Sequence, residues 1–350
     1  MNTLTSISNL SVPVLRDPSE ISAHEISTLP IVVIAPHNQC NCRCVMCDIW
    51  RIKESQELTP SHLERQIRSF RDLGVRWAVF TGGEPQLNPK LFTLAQMLRS
   101  EGIRVTLLTA GLLLESQAQE ITTHIDDVIV SLDGPPAVHN RVRRVHDAFE
   151  RISVGVKRLR EFRPDIQICA RCTVQKENHS LLRATAAAAR EIGMNSISFL
   201  AADLTSVAFN RAEGWSAERQ QRVALSAPEV EALDAEIRSL IREYKTESDT
   251  GFVVESPAKL GRIVHHFRAQ LGLVEHVAPR CNAPWVSAVV EASGNVRPCF
   301  FHAVIGNTHH ATLREIVNGP TALRFRSTLD VATNPVCRSC VCSLHVSGKP

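Results

Sequence analysis

The chain has 350 residues, 44% of them hydrophobic and 21% charged, with a formal net charge of +3. That length suits about two domains whose cores need no disulfide staples, and so small a charge leaves no nucleic-acid or membrane-surface footprint. No apolar run reaches the roughly 18 residues of a membrane span, and the N-terminal stretch lacks the pattern of a secretory signal. The expectation is therefore a reduced, cytoplasmic protein in which clustered cysteines serve metals or catalysis.

Residues 1–28 read as a loosely held extension. From residue 29, short β-branched runs alternate with amphipathic helical patterns, the texture of repeated βα units and a parallel sheet. The strand candidates are "PIVVIA" near 30, "RWAVFT" near 76, "RVTLLT" near 104, "DVIVSLD" near 127, "IQICARCTV" near 166 and "SISFLA" near 196. In the stretch "TPSHLERQIRSFRDLG", Thr59 is placed to cap a helix, Pro60 to open it and Gly74 to stop it. The units over residues 29–205 fall short of the eight that close a full barrel. The expected fold class is α/β, an open partial barrel with its reactive end where the strands end.

A mostly helical linker is expected over residues 206–278, including "SAPEVEALDAEIRSLIREY" with Ser226 as its cap. From residue 279 to 350 a small α+β domain follows. "RCNAPWVSAVVEASGNVRPCFF" reads as a hairpin turning at "EASGNV", with Cys281 before its first strand and Cys299 at the end of its second, and "CRSCVC" comes later.

The unusual residues fall at the strand ends. After the first strand, Cys40, Cys44 and Cys47 have the spacing C-x3-C-x2-C, in which a short loop wraps three thiolates around one face of a cubane iron–sulfur cluster and leaves one iron without a protein ligand. A zinc site is the alternative, but zinc favours paired C-x2-C units and four ligands, and only Cys44 with Cys47 fits. Cys42 is a bystander by the same counting. After the second strand, "TGGEP" lets Gly82 and Gly83 bring backbone close to a ligand, while Glu84 can meet a cationic amino group. A glycine pair before proline is by itself often only a turn. Ser131 and Asp133 share one side of the fourth strand's end, and Asp133 could equally start the turn "DGPP". The fifth strand has a polar face, Gln167, Cys169, Arg171, Thr173 and Gln175, expected to line the lumen. Arg171 is then set to bind substrate or a cofactor carboxylate, or to form a structural ion pair. Cys172, on the other face, reads as a small buried hydrophobe.

With "CNCRCVMC" after the first strand, "TGGEP" at 81–85 and "SLDGPPAVHNRVR" at 131–143, the chain resembles the radical S-adenosylmethionine (radical SAM) enzymes over about residues 30–205. The resemblance implies a partial (β/α)6 barrel of that type. It also implies a [4Fe-4S] cluster on Cys40, Cys44 and Cys47 whose open iron binds S-adenosylmethionine, and reductive cleavage to a 5′-deoxyadenosyl radical that abstracts hydrogen. It implies cofactor contacts at Met46, Gly82, Gly83, Glu84, Ser131, Asp133 and Arg143, and a reducing partner such as flavodoxin or ferredoxin. The chain departs from the pattern at Met46, usually an aromatic residue, at Arg144, usually glycine, and at "TAG" 109–111, usually Thr-Asn-Gly.

Cys281, Cys299, Cys337 and Cys340 form a second set that resembles the auxiliary-cluster module called SPASM, or twitch in its one-cluster form. The resemblance implies one auxiliary [4Fe-4S] cluster, with a zinc ribbon as the alternative. Cys342 is a spare that could replace Cys340, supply a hydrogen atom to a product radical, or be incidental. An auxiliary cluster beside a radical site implies dehydrogenation, and a thiol donor implies epimerisation. The short stretch before Cys40 favours a small polar metabolite, a sugar or aminocyclitol, over a ribosomal peptide. A non-catalytic electron carrier would need neither the open iron nor the glycine motif.

Overall fold

The computed structural model describes residues 25–244 and 251–347, so most of the expected N-terminal extension lies outside the described residues. The apolar runs form strands β1 (Ile31–His37), β2 (Trp77–Gly82), β3 (Arg104–Thr109), β4 (Asp127–Ser131), β5 (Gln167–Val174) and β6 (Ser196–Ala201). They pair in parallel in simple succession. The sheet does not close, so an open partial barrel results. Parallel strands covered on both faces must be apolar on both, and Val32, Ala78, Val105, Val128 and Ile168 are all fully buried or nearly so.

The intervening helices are α1 (Pro60–Asp72), α2 (Leu91–Ser100), α3 (Ala118–His124), α4 (Pro136–Arg143), α5 (Ala148–Phe162) and α6 (Leu182–Glu191). The caps of α1 fall where expected: Thr59 Oγ1 accepts from His62 N at 3.2 Å, and Gly74 takes the left-handed turn with φ 61°.

The stretch 206–278, read as a helical linker, is not a tether. Helix α8 (Ala227–Glu243), which follows the short α7 (Ala217–Gln221), buries Val230, Leu233, Ile237 and Leu240. It packs on α6 and on the helix Pro257–Gln270, which also lies along β6. Backbone joins it to the barrel edge, with Ile197 N donating to Phe252 O at 2.7 Å and Val254 N to Ile197 O at 2.9 Å. Its amphipathic pattern looks the same for a solvated spacer as for a barrel wall, which is why the sequence alone reads as a linker.

The C-terminal region also shares the barrel's sheet. Strand β7 (Ser287–Val290) pairs in parallel with β1, and β8 (Asn295–Arg297) and β9 (Gly306–Asn307) continue the sheet antiparallel. The hairpin between β7 and β8 turns where the sequence placed it. The chain end returns beneath the barrel, where Val346 packs with Ile31, Trp77, Trp285 and Val286. Among the described residues no helix is long and apolar enough to cross a membrane.

Candidate active site

The loop after β1 gathers Cys40, Cys44 and Cys47 with Met46 into one cluster over Ala110, Leu112 and Ala148. Backbone holds the loop on α4: Arg43 N donates to Arg143 O at 3.2 Å and Val45 N to Val142 O at 3.0 Å. Two buried cations lean on it. Arg143 Nη1 reaches Cys44 Sγ at 3.5 Å, and Arg211 Nη2 donates to Met46 O at 2.6 Å. The Cys44 thiol is held down to about 6, first by the Cys42 thiol donating to it and then by the Arg143 guanidinium, against the cost of burial. Burial pushes Cys47 up to about 12. Three thiols flanked by fixed positive charge fit thiolates around an iron–sulfur core, since the ligated cluster as a whole carries net negative charge.

Nothing in the sequence flags Arg211. Its side chain is 1% exposed and its guanidinium meets Asp203 Oδ2 at 2.9 Å. It lies 3.7 Å from the Trp215 ring centroid, and Trp215 Nε1 donates to Asp48 Oδ2 at 2.5 Å. Asn210 Nδ2 adds a bond to Asp48 O at 3.0 Å. The segment after β6 therefore clamps the far end of the cysteine loop from above. This is a long-range contact that no local pattern encodes.

The glycine motif packs against the entry to the cysteine loop. A Cβ on Gly82 would sit 2.7 Å from Ala35 Cβ, and one on Gly83 only 2.0 Å from Gln39 O. The missing side chains let this loop pack on the entry to the cysteine loop, where Gly83 N donates to His37 O at 3.1 Å. The Glu84 carboxylate is turned inward and takes three donors of its own chain: Ala110 N at 2.7 Å, Thr109 Oγ1 at 2.9 Å and Gln86 N at 3.2 Å. It ties the end of β2 to the end of β3. Burial pushes it up to about 7, with those donors pulling the other way.

Asp133 is likewise engaged within the fold. Its Oδ2 lies 2.6 Å from Arg143 Nη2 with both side chains buried, and its Oδ1 accepts from Thr173 N at 2.8 Å. Burial raises this carboxyl while the Arg143 guanidinium opposes the rise. The Asp133–Arg143 pair thus links the end of β4 to Cys44. Ser131, on the same strand, is partly exposed, and its Cα pairs with that of Arg171 across β4 and β5.

Arg171 lies on the lumen face as expected. It lines a cavity of about 540 Å³ whose floor is Ile31, Val33, Trp77, Val79, Leu108 and Ile129. Arg171 Nε is buried without a hydrogen-bond partner. Cys169 is buried at the start of β5, and Cys172 joins the main core.

The C-terminal cysteines come together from separate segments. Cys281 precedes β7, Cys299 follows β8, and Cys337 sits on a short helix, Pro335–Arg338, capped by Asn334. Burial first, then neighbouring thiols, raises Cys340, and raises Cys337 to about 11. Burial and mutual repulsion both disfavour bare thiolates, and a positively charged iron core relieves both. His302, which the sequence reading passed over, has Nε2 3.4 Å from Cys337 Sγ. Cys340 and Cys342 also line the cavity that holds Arg171, so the second cysteine set borders the lumen.

Residues 34–189 match the model of the radical SAM superfamily, and residues 281–341 match SPASM, an iron–sulfur cluster-binding domain. Together these imply [4Fe-4S] clusters and S-adenosylmethionine as cofactors. Among curated proteins, the AdoMet-dependent heme synthase of Methanosarcina barkeri is 31% identical over 159 residues, covering 44% of this chain and 45% of that protein. The chain thus spans less than half the length of that relative. In fold it is similar to Streptococcus suis SuiB bound to S-adenosylmethionine, with TM-score 0.63, 14% identity, and 94% of this chain and 76% of that one covered. It is also similar to anSMEcpe with bound AdoMet, with TM-score 0.65, 19% identity, and 87% and 84% covered.

Proposed function

The chain is a radical SAM protein with a C-terminal SPASM domain, and from that premise we propose that it oxidises a small metabolite by hydrogen abstraction. One observation carries this reading: a single cavity of about 540 Å³ is lined both by lumen residues such as Arg171 and by Cys340 and Cys342 of the second cysteine set. The volume suits a small molecule.

In this reading Cys40, Cys44 and Cys47 hold the first cluster, and Cys281, Cys299 and Cys337 with Cys340 or Cys342 hold the second. Bound S-adenosylmethionine, reduced through the first cluster, supplies a hydrogen-abstracting radical. Arg143 and Arg211 offset the negative charge of the first loop, and Met46 and Ser131 face the cofactor. Glu84 and Asp133 brace that site from within the fold. Arg171 orients the substrate, and the segment around Cys340 lines the cavity's side. Placing the second thiol set at the cavity edge suits dehydrogenation, since a substrate that has lost a hydrogen atom must still lose one electron and one proton. A small carrier such as flavodoxin or ferredoxin supplies reducing electrons.

Two other outcomes have a specific observation behind them. Cys342 lines the cavity beside Arg171, where it could return a hydrogen atom and give epimerisation. The cavity's lining also includes exposed apolar side chains, Val277 at 54% and Phe300 at 37%, which would suit a peptide.

The test is anaerobic reconstitution, measuring iron and sulfide per chain and then 5′-deoxyadenosine released under strong reduction. About eight irons with deoxyadenosine supports the proposal. Bound iron without cleavage would instead make the chain an electron carrier. Product from Cys342→Ala, with deoxyadenosine still formed, would exclude the epimerase.

A further inference from the structure

We propose that the lumen cavity takes a ligand with an apolar body and a terminal oxyanion, a carboxylate or a phosphate ester, and that Arg171 receives the oxyanion. The inference deepens the proposed function and rests on it for calling this ligand the substrate.

The charges lining the cavity are unbalanced. Arg171, Lys259, Arg262 and Arg338 face it against one acidic residue, Glu255. That carboxylate is already engaged, Oε1 accepting from Ser198 Oγ at 2.7 Å and Oε2 from Phe199 N at 2.9 Å. Arg262 and Arg338 are partly spent too. Arg262 Nη2 donates to Val277 O at 3.3 Å. Arg338 donates to His276 O at 2.9 Å and to Glu275 Oε2 at 3.0 Å. Among the described residues, neither Arg171 nor Lys259 has a side-chain hydrogen bond or ion pair, and Arg171 Nε is buried with none.

Arg171 is only partly buried, but its Nε is shut off from water with no acceptor from the chain itself, a cost that a bound anion would offset. A planar fork that cannot lose its proton matches a carboxylate or phosphate in two parallel bonds. The floor beneath Arg171 is aliphatic and aromatic, whereas Thr81, Ser198, Ser256 and three histidines line other parts of the wall. Arg171 is one strand over from Ser131, and its field also reaches Cys342. A ligand anchored here by one end lies between the β4 end and the second cysteine set. Lys259, exposed at the first turn of its helix, adds a longer-range pull at the mouth.

The test uses anaerobically reconstituted protein saturated with S-adenosylmethionine, and calorimetric titration with 3-phenylpropionate, phenyl phosphate and the neutral 3-phenylpropionamide. The expected result is that at least one anion binds about ten- to a hundredfold tighter than the amide. Whichever anion binds tighter names the head group. Arg171→Met should remove most of that preference and Arg171→Lys only part of it. Lys259→Glu, on the surface, should weaken the anion about two- to threefold and flatten its salt dependence. It keeps the test open if Arg171→Met does not fold.

Equal binding of acid and amide by the wild type overturns the inference. So does an Arg171→Met protein that keeps the preference, or one that loses affinity only for S-adenosylmethionine, which would assign the guanidinium to the cofactor. Deoxyadenosine formation by the wild type separates the two claims. Cleavage without anion preference sinks the oxyanion site and leaves the enzyme reading standing. Anion preference without cleavage leaves a real oxyanion site and sinks its role as a substrate site.

Discussion

The Cys40–Cys47 loop draws its thiols from eight consecutive residues, and other side chains then fix them: Arg143 at Cys44, Arg211 at Met46, and Trp215 at Asp48. The C-terminal set is assembled from Cys281, Cys299 and the Cys337–Cys342 segment, with strand β7, the Asn334 cap and the returning chain end bringing them together. In the first region the chain pre-organises the loop, with buried charges close to the thiols. In the second, the geometry depends on the fold around it and on whatever the thiols bind. Losing one thiol should therefore have different reach in the two regions.

The largest effect follows from the first region. Cys44→Ala should abolish 5′-deoxyadenosine formation. Cys337→Ala should lower iron by about half yet leave deoxyadenosine formation measurable. Equal loss of cleavage in both variants would mean that the two regions are not separable.

Next comes the buried pair. Asp133→Ala leaves the Arg143 guanidinium buried without its counter-ion, and breaking such a pair costs about 3–5 kcal/mol. Urea unfolding of the metal-free protein reads this directly. A cost below about 1 kcal/mol would mean that Arg143 finds solvent or another anion. In the second region the pairs Arg297–Glu291 and Arg338–Glu275 are open to solvent, so losing either should cost far less.

A third effect depends on pH. Burial raises Glu84 to about 7, so the folded state holds its proton more tightly than the unfolded chain. The contribution to stability is then full below about pH 4.5 and is lost as pH rises through about 7. At roughly 1.4 kcal/mol per unit, the loss is at most about 3.5 kcal/mol. The wild type should lose stability between pH 5 and 8, and Glu84→Gln should flatten that slope. An unchanged slope would show that the donors from Ala110, Thr109 and Gln86 keep the carboxylate ionised throughout.

How legible these regions were in the sequence follows from the range of the contacts. β1 to β6 were visible because each is an apolar run bounded by turn residues, and the cysteine spacing needed only eight residues to read. The inward roles of Glu84 and Asp133 were not visible. A carboxylate at a strand end looks the same whether it faces a ligand or three backbone and side-chain donors. Nor could "SAVV" announce that β7 would pair with β1, because a short buried strand carries no register signal of its own. The Arg211 and Trp215 clamp joins residues about 165 apart in the chain, and such a contact has no local period.

The smallest effect concerns the second region's anchor. Asn282 follows Cys281, and its side chain makes two bonds to the returning chain: Nδ2 to Val346 O at 2.9 Å, and Oδ1 from Val346 N at 3.0 Å. Its backbone N also donates to Leu344 O at 2.9 Å. Asn282→Ala keeps the backbone bond but strands a buried donor and acceptor on Val346, at about 1–3 kcal/mol. If the C-terminal thiols are held by the fold around them, the variant should lose auxiliary iron faster to a chelator, while deoxyadenosine formation changes little. If both change together, strain at Cys281 passes through β7 into β1, and the shared sheet couples the two cysteine sets. If neither changes, the thiol-bound core itself holds the chain end, and the second region is organised from its centre outward.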